Sequence, residues 1–186
     1  AYPLDSRGVV QHEAGGHGFG KLADEYIYHN AFIDNCHCMD GCDHGDKLRD
    51  YKALGWYDNI SLTGKMHSVP WSHLILDPRY SDLVDIYEGG YMHSRGVFRS
   101  EQNSCMNNNI PYYNTISRES IVRRIKQYAG EAYSFDDFVK YDKREAGSVT
   151  RGMYSGRSGS ISHRQSAPVI HRGSPLSMPK VRAHRR

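Results

Sequence analysis

Two histidines five residues apart, in a stretch rich in glycine, constrain the fold of this chain more than any other feature. The stretch runs from His12 to Tyr26 and reads HEAGGHGFGKLADEY. On a regular α-helix, side chains five residues apart diverge by about 140° around the axis. His12 and His17 therefore face the same way only where the helix carries an inserted residue, as in a π-bulge. Such a bulge costs least at Gly15 and Gly16, because glycine accepts unusual backbone angles.

The residue types in this stretch are those of a catalytic zinc centre. Such a centre takes three protein ligands, often two histidines and a carboxylate, and keeps its fourth position for water. His12 and His17 supply the two imidazoles. We expect Gly18 and Gly20 to turn the chain sharply, so that Asp24 returns as the third ligand.

The sequence offers an alternative third ligand and a proton carrier beside the first histidine. Glu25 is the alternative ligand, in which case Asp24 orients a histidine from outside the metal shell. Glu13 is predicted to be the general base, which takes a proton from the metal-activated water and passes it to the leaving amine. The stretch therefore predicts a zinc-dependent endopeptidase that hydrolyses peptide bonds.

The same residues resemble the active-site signature of the IgA-peptidase family of bacterial zinc metallopeptidases, which reads HExGH-x-F-x-x-LADEY. The two patterns coincide at Phe19, Leu22, Ala23, Asp24, Glu25 and Tyr26. This chain differs from the family pattern by one additional residue between its histidines. The resemblance covers roughly residues 9–145.

A second segment is similar to the methionine turn of metzincin-like peptidases, a tight turn that lies beneath the metal and leads into a final helix. Here it consists of residues 104–107, SCMN, with Met106 as the turn methionine. Residues 96–100, GVFRS, are similar to the family's approach to this turn. Tyr112 and Tyr113 follow at a distance from which a phenol can bind the oxyanion of a tetrahedral intermediate, and simple packing is the alternative role for each.

The resemblance implies a metzincin-like α+β fold, Zn²⁺ as the cofactor, and a protein or peptide as the substrate. The family has a longer N-terminal half, so we expect this chain to be the mostly helical, loop-rich C-terminal part of a catalytic domain. The upstream half of the same polypeptide is then expected to complete it. An extracytoplasmic bacterial location (secreted, periplasmic or cell-surface) is expected for such an enzyme. The alternative to an active peptidase is a non-catalytic zinc-binding or protein-binding fragment.

Charge divides the chain into two parts. Eight of the 24 Lys and Arg residues, and none of the 21 Asp and Glu residues, lie after residue 150. We therefore expect a catalytic domain over residues 1–147 and a basic, largely disordered tail over residues 148–186. Basic charge confined to a tail without regularly interleaved aromatic residues does not favour a nucleic-acid binder. No apolar run approaches the ~20 residues that span a membrane.

Four cysteines leave three interpretations open. They are Cys36, Cys38, Cys42 and Cys105. In an exported protein they form disulfides, one of them reaching Cys105, and otherwise they remain thiols. The first three can also form a structural zinc site together with His37 and His44.

Hydrophobic spacing and capping residues predict the regular elements. Helices are expected over residues 5–28, 46–54, 117–128 and 134–141. Strands over residues 83–87 and 91–99 are expected to form a hairpin through the sequence EGG at residues 88–90. In the third helix Ser117 is the expected cap, and the expected buried stripe is Ile121, Val122, Ile125 and Tyr128.

Overall fold

A computed structural model of the chain describes residues 6–35 and 43–143. This part of the chain combines helices with one mixed sheet, which is compatible with the predicted α+β class. The helical elements are α1 (Ser6–Val10), a π-helix (Gln11–Gly20), α2 (His44–Ala53), α3 (Ser72–Leu76), α4 (Cys105–Asn108), α5 (Thr115–Ala129), α6 (Phe135–Tyr141), and 3₁₀ turns at Ile33–Asn35 and Met66–Ser68. The strands are β1 (Ile27–Phe32), β2 (Ile60–Ser61), β3 (Tyr87–Gly90) and β4 (Met92–Arg99). The predicted tail and the cysteines at positions 36, 38 and 42 lie outside the described residues.

Strand β4 is the centre of the sheet. It pairs in parallel with β1 and antiparallel with β2 and β3. The predicted hairpin is confirmed, but β3 begins only at Tyr87 and includes Gly89 and Gly90. The tight turn falls instead on Tyr91 and Met92, which have φ values of 45° and 67°. Two-residue turns that match the twist of a hairpin require positive φ, and here two large side chains adopt it.

The helix predicted over residues 5–28 is only partly correct. One α-helical turn leads into the π-helix, and the chain has entered β1 by Ile27. Lys21, with a left-handed φ of 51°, ends the π-helix, and its N–H donates to the Gly16 carbonyl. The chain therefore reverses at Lys21, and Gly18 and Gly20 remain inside the π-helix.

The two C-terminal helices are confirmed, with a different start and buried face for the first. The Asn114 side chain caps α5 by accepting a hydrogen bond from the Ser117 N–H, so the helix begins before the predicted cap. Ile125 and Tyr128, expected in the buried stripe, are 50% and 73% exposed. The fully buried residues of α5 lie in its first two turns. Among the described helices, none is long and apolar enough to cross a membrane.

Two apolar clusters hold the elements that surround the π-helix. One joins α3, α5, α6 and the segment before β3, through Val69, Trp71, Leu74, Tyr80, Val84, Ile116 and Phe138. The other joins the sheet to α2 and to the segment after the π-helix, through Ala23, Ile33, Leu48, Ile60, Tyr91 and Val97. Both α4 and α5 contact the π-helix directly. Burial of these side chains stabilises the elements against which the π-helix lies.

Candidate metal centre

The π-helix brings the two histidines onto one face. Its backbone bonds run from residue i to residue i+5, so residues five apart lie above one another. The rings of His12 and His17 have centroids 4.8 Å apart and cross at 72°. The predicted π-type distortion is therefore confirmed, and it extends over ten residues instead of a single insertion at Gly15 and Gly16.

Asp24 closes a triangle with the two imidazoles. His12 Nε2 lies 2.9 Å from Asp24 Oδ1 and 3.1 Å from His17 Nε2, and His17 Nε2 lies 3.2 Å from Asp24 Oδ1. The Asp24 carbonyl accepts a hydrogen bond from the Tyr91 N–H at 2.9 Å, which fastens the extended segment after the π-helix to the sheet. We call His12, His17 and Asp24 the candidate metal centre.

Backbone carbonyls set the orientation of both rings. His12 Nδ1 lies 2.9 Å from the Cys105 carbonyl, and His17 Nδ1 lies 2.8 Å from the Leu22 carbonyl. A carbonyl oxygen only accepts, so we infer that Nδ1 carries the hydrogen in each ring. In the neutral rings the Nε2 lone pairs then face each other and the Asp24 oxygen. Metal-binding histidines are oriented in this way by partners outside the metal shell.

Three acceptor atoms this close require a positive charge among them. Without a metal, that charge is a proton on a histidine, and the electrostatics of the site reflect it. Burial lowers the pKa of His17, but the hydrogen bond and charge of Asp24 outweigh it and raise this pKa above its usual value. Burial raises the pKa of Asp24, but the hydrogen bonds and charges of His12 and His17 outweigh it and bring this pKa to about 2.

The triangle also has the size that a zinc ion requires. The centre of a triangle with these sides lies about 1.8 Å from each atom, and a point about 1 Å above it lies at the ~2.0–2.2 Å typical of zinc bonds to nitrogen and oxygen. Two imidazoles and one carboxylate form a ligand set of catalytic zinc. These three residues could therefore hold a zinc ion.

Glu25, the alternative third ligand, lies elsewhere. Its side chain is fully buried, and its carboxylate accepts hydrogen bonds from the Asn59 and Asn114 amides and from the Ser104 hydroxyl. Burial raises its pKa in spite of these donors. Its backbone N–H also donates to the Met106 carbonyl at 2.8 Å. Glu25 therefore joins the segment after the π-helix to α4 and α5, and Asp24 is the acid at the histidines.

The predicted methionine turn lies against the π-helix. Met106, in α4, is fully buried, and its sulfur occupies the space that a side chain at Gly16 would need. The carbonyl that orients the His12 ring belongs to Cys105, the residue before Met106. Cys105 itself is a free, buried thiol, and the cysteines expected to pair with it lie outside the described residues. Burial raises the pKa of Cys105 to about 12.

Neither predicted oxyanion tyrosine offers an uncommitted hydroxyl. Tyr112 donates to Glu101 at 2.8 Å. Tyr113 donates to the Gln11 carbonyl, and its hydroxyl fills the space beside Gly15. Both phenols therefore support the turn and the π-helix by packing and hydrogen bonding.

Two other side chains lie at the candidate metal centre. Glu13 is exposed, and its negative charge contributes to the raised pKa of both His17 and Tyr26. Burial, together with the charge of the nearby Asp24 carboxylate, raises the pKa of Tyr26. Its ring stacks on His12 with centroids 6.3 Å apart. Sequence reasoning gave Tyr26 no role, although side chains two apart in an extended segment lie on the same side, which places it beside Asp24.

No protein-family model matches the chain, and no curated protein is significantly similar to it.

Proposed function

We propose that this chain is the C-terminal part of a zinc-dependent endopeptidase with a metzincin-like fold, related to the IgA-peptidase family. The observation that supports it most strongly is the convergence of His12 Nε2, His17 Nε2 and Asp24 Oδ1 within 3.2 Å of one another. The buried methionine turn beside the same π-helix supports it further. An extracytoplasmic location and an upstream half of the same polypeptide belong to this proposal.

Each residue of the site has a separate role in the proposed hydrolysis of a peptide bond. His12, His17 and Asp24 would hold a zinc ion, which would supply a Lewis acid that lowers the pKa of a bound water and polarises the scissile carbonyl. Glu13, exposed beside the first ligand, takes a proton from the attacking water on its carboxylate oxygen and delivers it to the amine nitrogen as the C–N bond breaks. The Tyr26 ring, which stacks on His12 near Asp24, would help to position these two ligands.

The test separates metal binding from catalysis. Glu13→Gln should retain zinc at the wild-type stoichiometry and lose about 10²–10⁴-fold in peptide hydrolysis, the usual contribution of a general base. Glu131→Gln is the matched control, because this exposed glutamate pairs with Lys126 at the far end of α5. Hydrolysis is measured with a mixed peptide library, on this chain and on the polypeptide that includes the upstream half.

Two results would contradict the proposal. Normal turnover by Glu13→Gln would show that Glu13 does not move the proton. Zinc binding without hydrolysis in the longer polypeptide would favour the alternative function, a non-catalytic zinc-binding or protein-binding module.

A further inference from the structure

One residue holds, from both sides, the carbonyl that orients the first histidine of the candidate metal centre. Cys105 supplies that carbonyl, 2.9 Å from His12 Nδ1. The Glu25 carboxylate accepts a hydrogen bond from the Ser104 hydroxyl, and the Glu25 N–H donates to the Met106 carbonyl at 2.8 Å. Ser104 and Met106 are the two neighbours of Cys105 in the chain. Glu25 therefore binds the methionine turn on each side of the carbonyl that His12 uses.

The position of the Glu25 carboxylate is itself fixed by several partners. Glu25 and Ser104 have no exposed surface, so water does not compete for their contact. Glu25 Oε1 accepts hydrogen bonds from the amides of Asn59 and Asn114, each at 2.8 Å, and Oε2 accepts the Ser104 hydroxyl. Hydrogen bonds to an ionised acceptor are about twice as strong as those between neutral groups. The carboxylate therefore cannot turn away from Ser104 without also breaking its bonds to the two amides.

The segment that carries Glu25 also carries a metal-binding candidate. Asp24 and Glu25 are consecutive, and successive side chains of an extended segment point to opposite sides. Asp24 Oδ1 accordingly lies 2.9 Å from His12 Nε2, whereas the Glu25 carboxylate lies at the methionine turn. Both nitrogens of the His12 ring thus depend on this segment. Nε2 faces Asp24 directly, and Nδ1 faces a carbonyl that Glu25 supports.

We propose that Glu25 is a positioning residue for the candidate metal centre. Through Ser104 and Met106 it fixes the Cys105 carbonyl, which keeps the hydrogen of the His12 ring on Nδ1 and leaves the Nε2 lone pair for the ion. Loss of such an outer partner typically costs 10–100-fold in metal affinity. This effect on affinity rests on the proposed zinc centre, whereas the orientation of His12 in the metal-free protein does not.

The first measurement uses the full chain with a chelator present and requires no activity. NMR measures how fast His12 Nδ1–H exchanges with water, relative to the backbone amides of β4, which report overall stability. Glu25→Ala should accelerate the exchange of His12 at least about tenfold more than that of β4, because the carbonyl loses its support. Glu25→Gln should restore slow exchange, since its amide retains an acceptor oxygen for the asparagines and a polar group for Ser104.

Two further variants separate positioning from stability. Glu119→Ala is the matched control, because Glu119 is also fully buried and hydrogen-bonds three side chains, those of His73, Arg123 and Tyr133. It should accelerate exchange equally at His12 and in β4. Ser104→Ala covers the case in which Glu25→Ala fails to fold, since it removes one hydroxyl and leaves the carboxylate with its two amide donors. It should accelerate His12 selectively by about fivefold, the effect of one lost hydrogen bond.

The second measurement is zinc affinity, by competition with a chromophoric chelator. Glu25→Ala should weaken zinc binding by about 10–100-fold, and Glu25→Gln should restore it. Equal acceleration at His12 and in β4, in Glu25→Ala or in Ser104→Ala, would overturn the proposal, since Glu25 would then act on overall stability alone. So would a folded Glu25→Gln variant in which His12 exchanges as fast as in Glu25→Ala. Selective acceleration in a chain whose wild type binds no zinc would support the positioning role and contradict the zinc centre instead.

Discussion

Gly16 lies directly against the sulfur of Met106. A methyl group at Gly16 would overlap Met106 Sδ, so the π-helix and α4 pack too closely to admit a side chain at position 16. Gly16 lies in the π-helix between His12 and His17, and the residue before Met106 supplies the carbonyl that orients His12. This contact therefore sets the distance between α4 and the face of the π-helix that carries His12 and His17.

Gly16→Ala should destabilise the protein by about 1–3 kcal/mol and weaken zinc binding, because the added methyl overpacks the interface. Chemical denaturation and a chelator competition measure the two effects. Gly18→Ala is the control in the same helix, where a Cβ would approach only the Glu13 carbonyl, at 3.3 Å. A Gly16→Ala/Met106→Ala double variant should show coupling between the two sites. Strictly additive effects would contradict direct contact.

Asp24→Asn should weaken zinc binding by more than about 100-fold, since loss of an outer-shell partner alone costs 10–100-fold. Glu25→Gln is the matched control: it preserves an acceptor for Asn59 and Asn114 and should retain zinc at full stoichiometry. Zinc content after dialysis distinguishes the two. Loss of zinc from Glu25→Gln, with zinc retained by Asp24→Asn, would instead make Glu25 the ligand.

The metal-free protein should lose stability in two pH ranges. The pKa of His17 is raised, so its contribution is complete below the unfolded value of 6.5 and disappears as pH rises through the higher folded pKa. The pKa of Asp24 is lowered from 3.8 to about 2, so its contribution is present above 3.8 and disappears as pH falls towards 2. Urea denaturation with a chelator present measures both.

His17→Gln should remove the loss of stability above pH 6.5 and leave the remaining profile in place. With saturating zinc the wild-type dependence in this range should reverse, because protons compete with the metal for the same nitrogens. An unchanged slope in His17→Gln would show that His17 is not the titrating group.

Tyr26→Phe should weaken zinc binding by about tenfold, because it removes a hydroxyl that interacts with the Asp24 carboxylate from outside the metal shell. Tyr28→Phe is the control, because Tyr28 is exposed and its ring packs on that of Tyr26, with centroids 4.7 Å apart. Equal zinc affinities for the two variants would assign Tyr26 to packing alone.

The shared face of His12 and His17 could be predicted from local sequence, because a five-residue spacing with adjacent glycines has few backbone solutions. His12, His17 and Asp24 lie within 13 residues, and a short segment determines how they meet. The turn was harder to predict. Glycine is the usual left-handed residue, but here Lys21 adopts that conformation. Tertiary contacts of the following segment, such as the Tyr91 N–H bond to Asp24, override the local preference.

The role of Glu25 could not be predicted, because its partners are distant in the sequence. Asn59, Ser104 and Asn114 reach it only after the sheet and α5 have packed. The start of α5 could not be predicted for the same reason. Asn114 caps the helix through its side-chain oxygen, and its amide also donates to Glu25, which is distant in the sequence. The exposed Ile125 and Tyr128 show that helical periodicity identifies an apolar stripe without showing whether another element covers it.

Anomalous diffraction at the zinc edge, from crystals of the zinc-loaded protein, tests the central claim most directly. We expect a peak within about 2.0–2.2 Å of His12 Nε2, His17 Nε2 and Asp24 Oδ1. A zinc-loaded crystal without a peak at this position, with the three side chains joined only by hydrogen bonds, would contradict the claim.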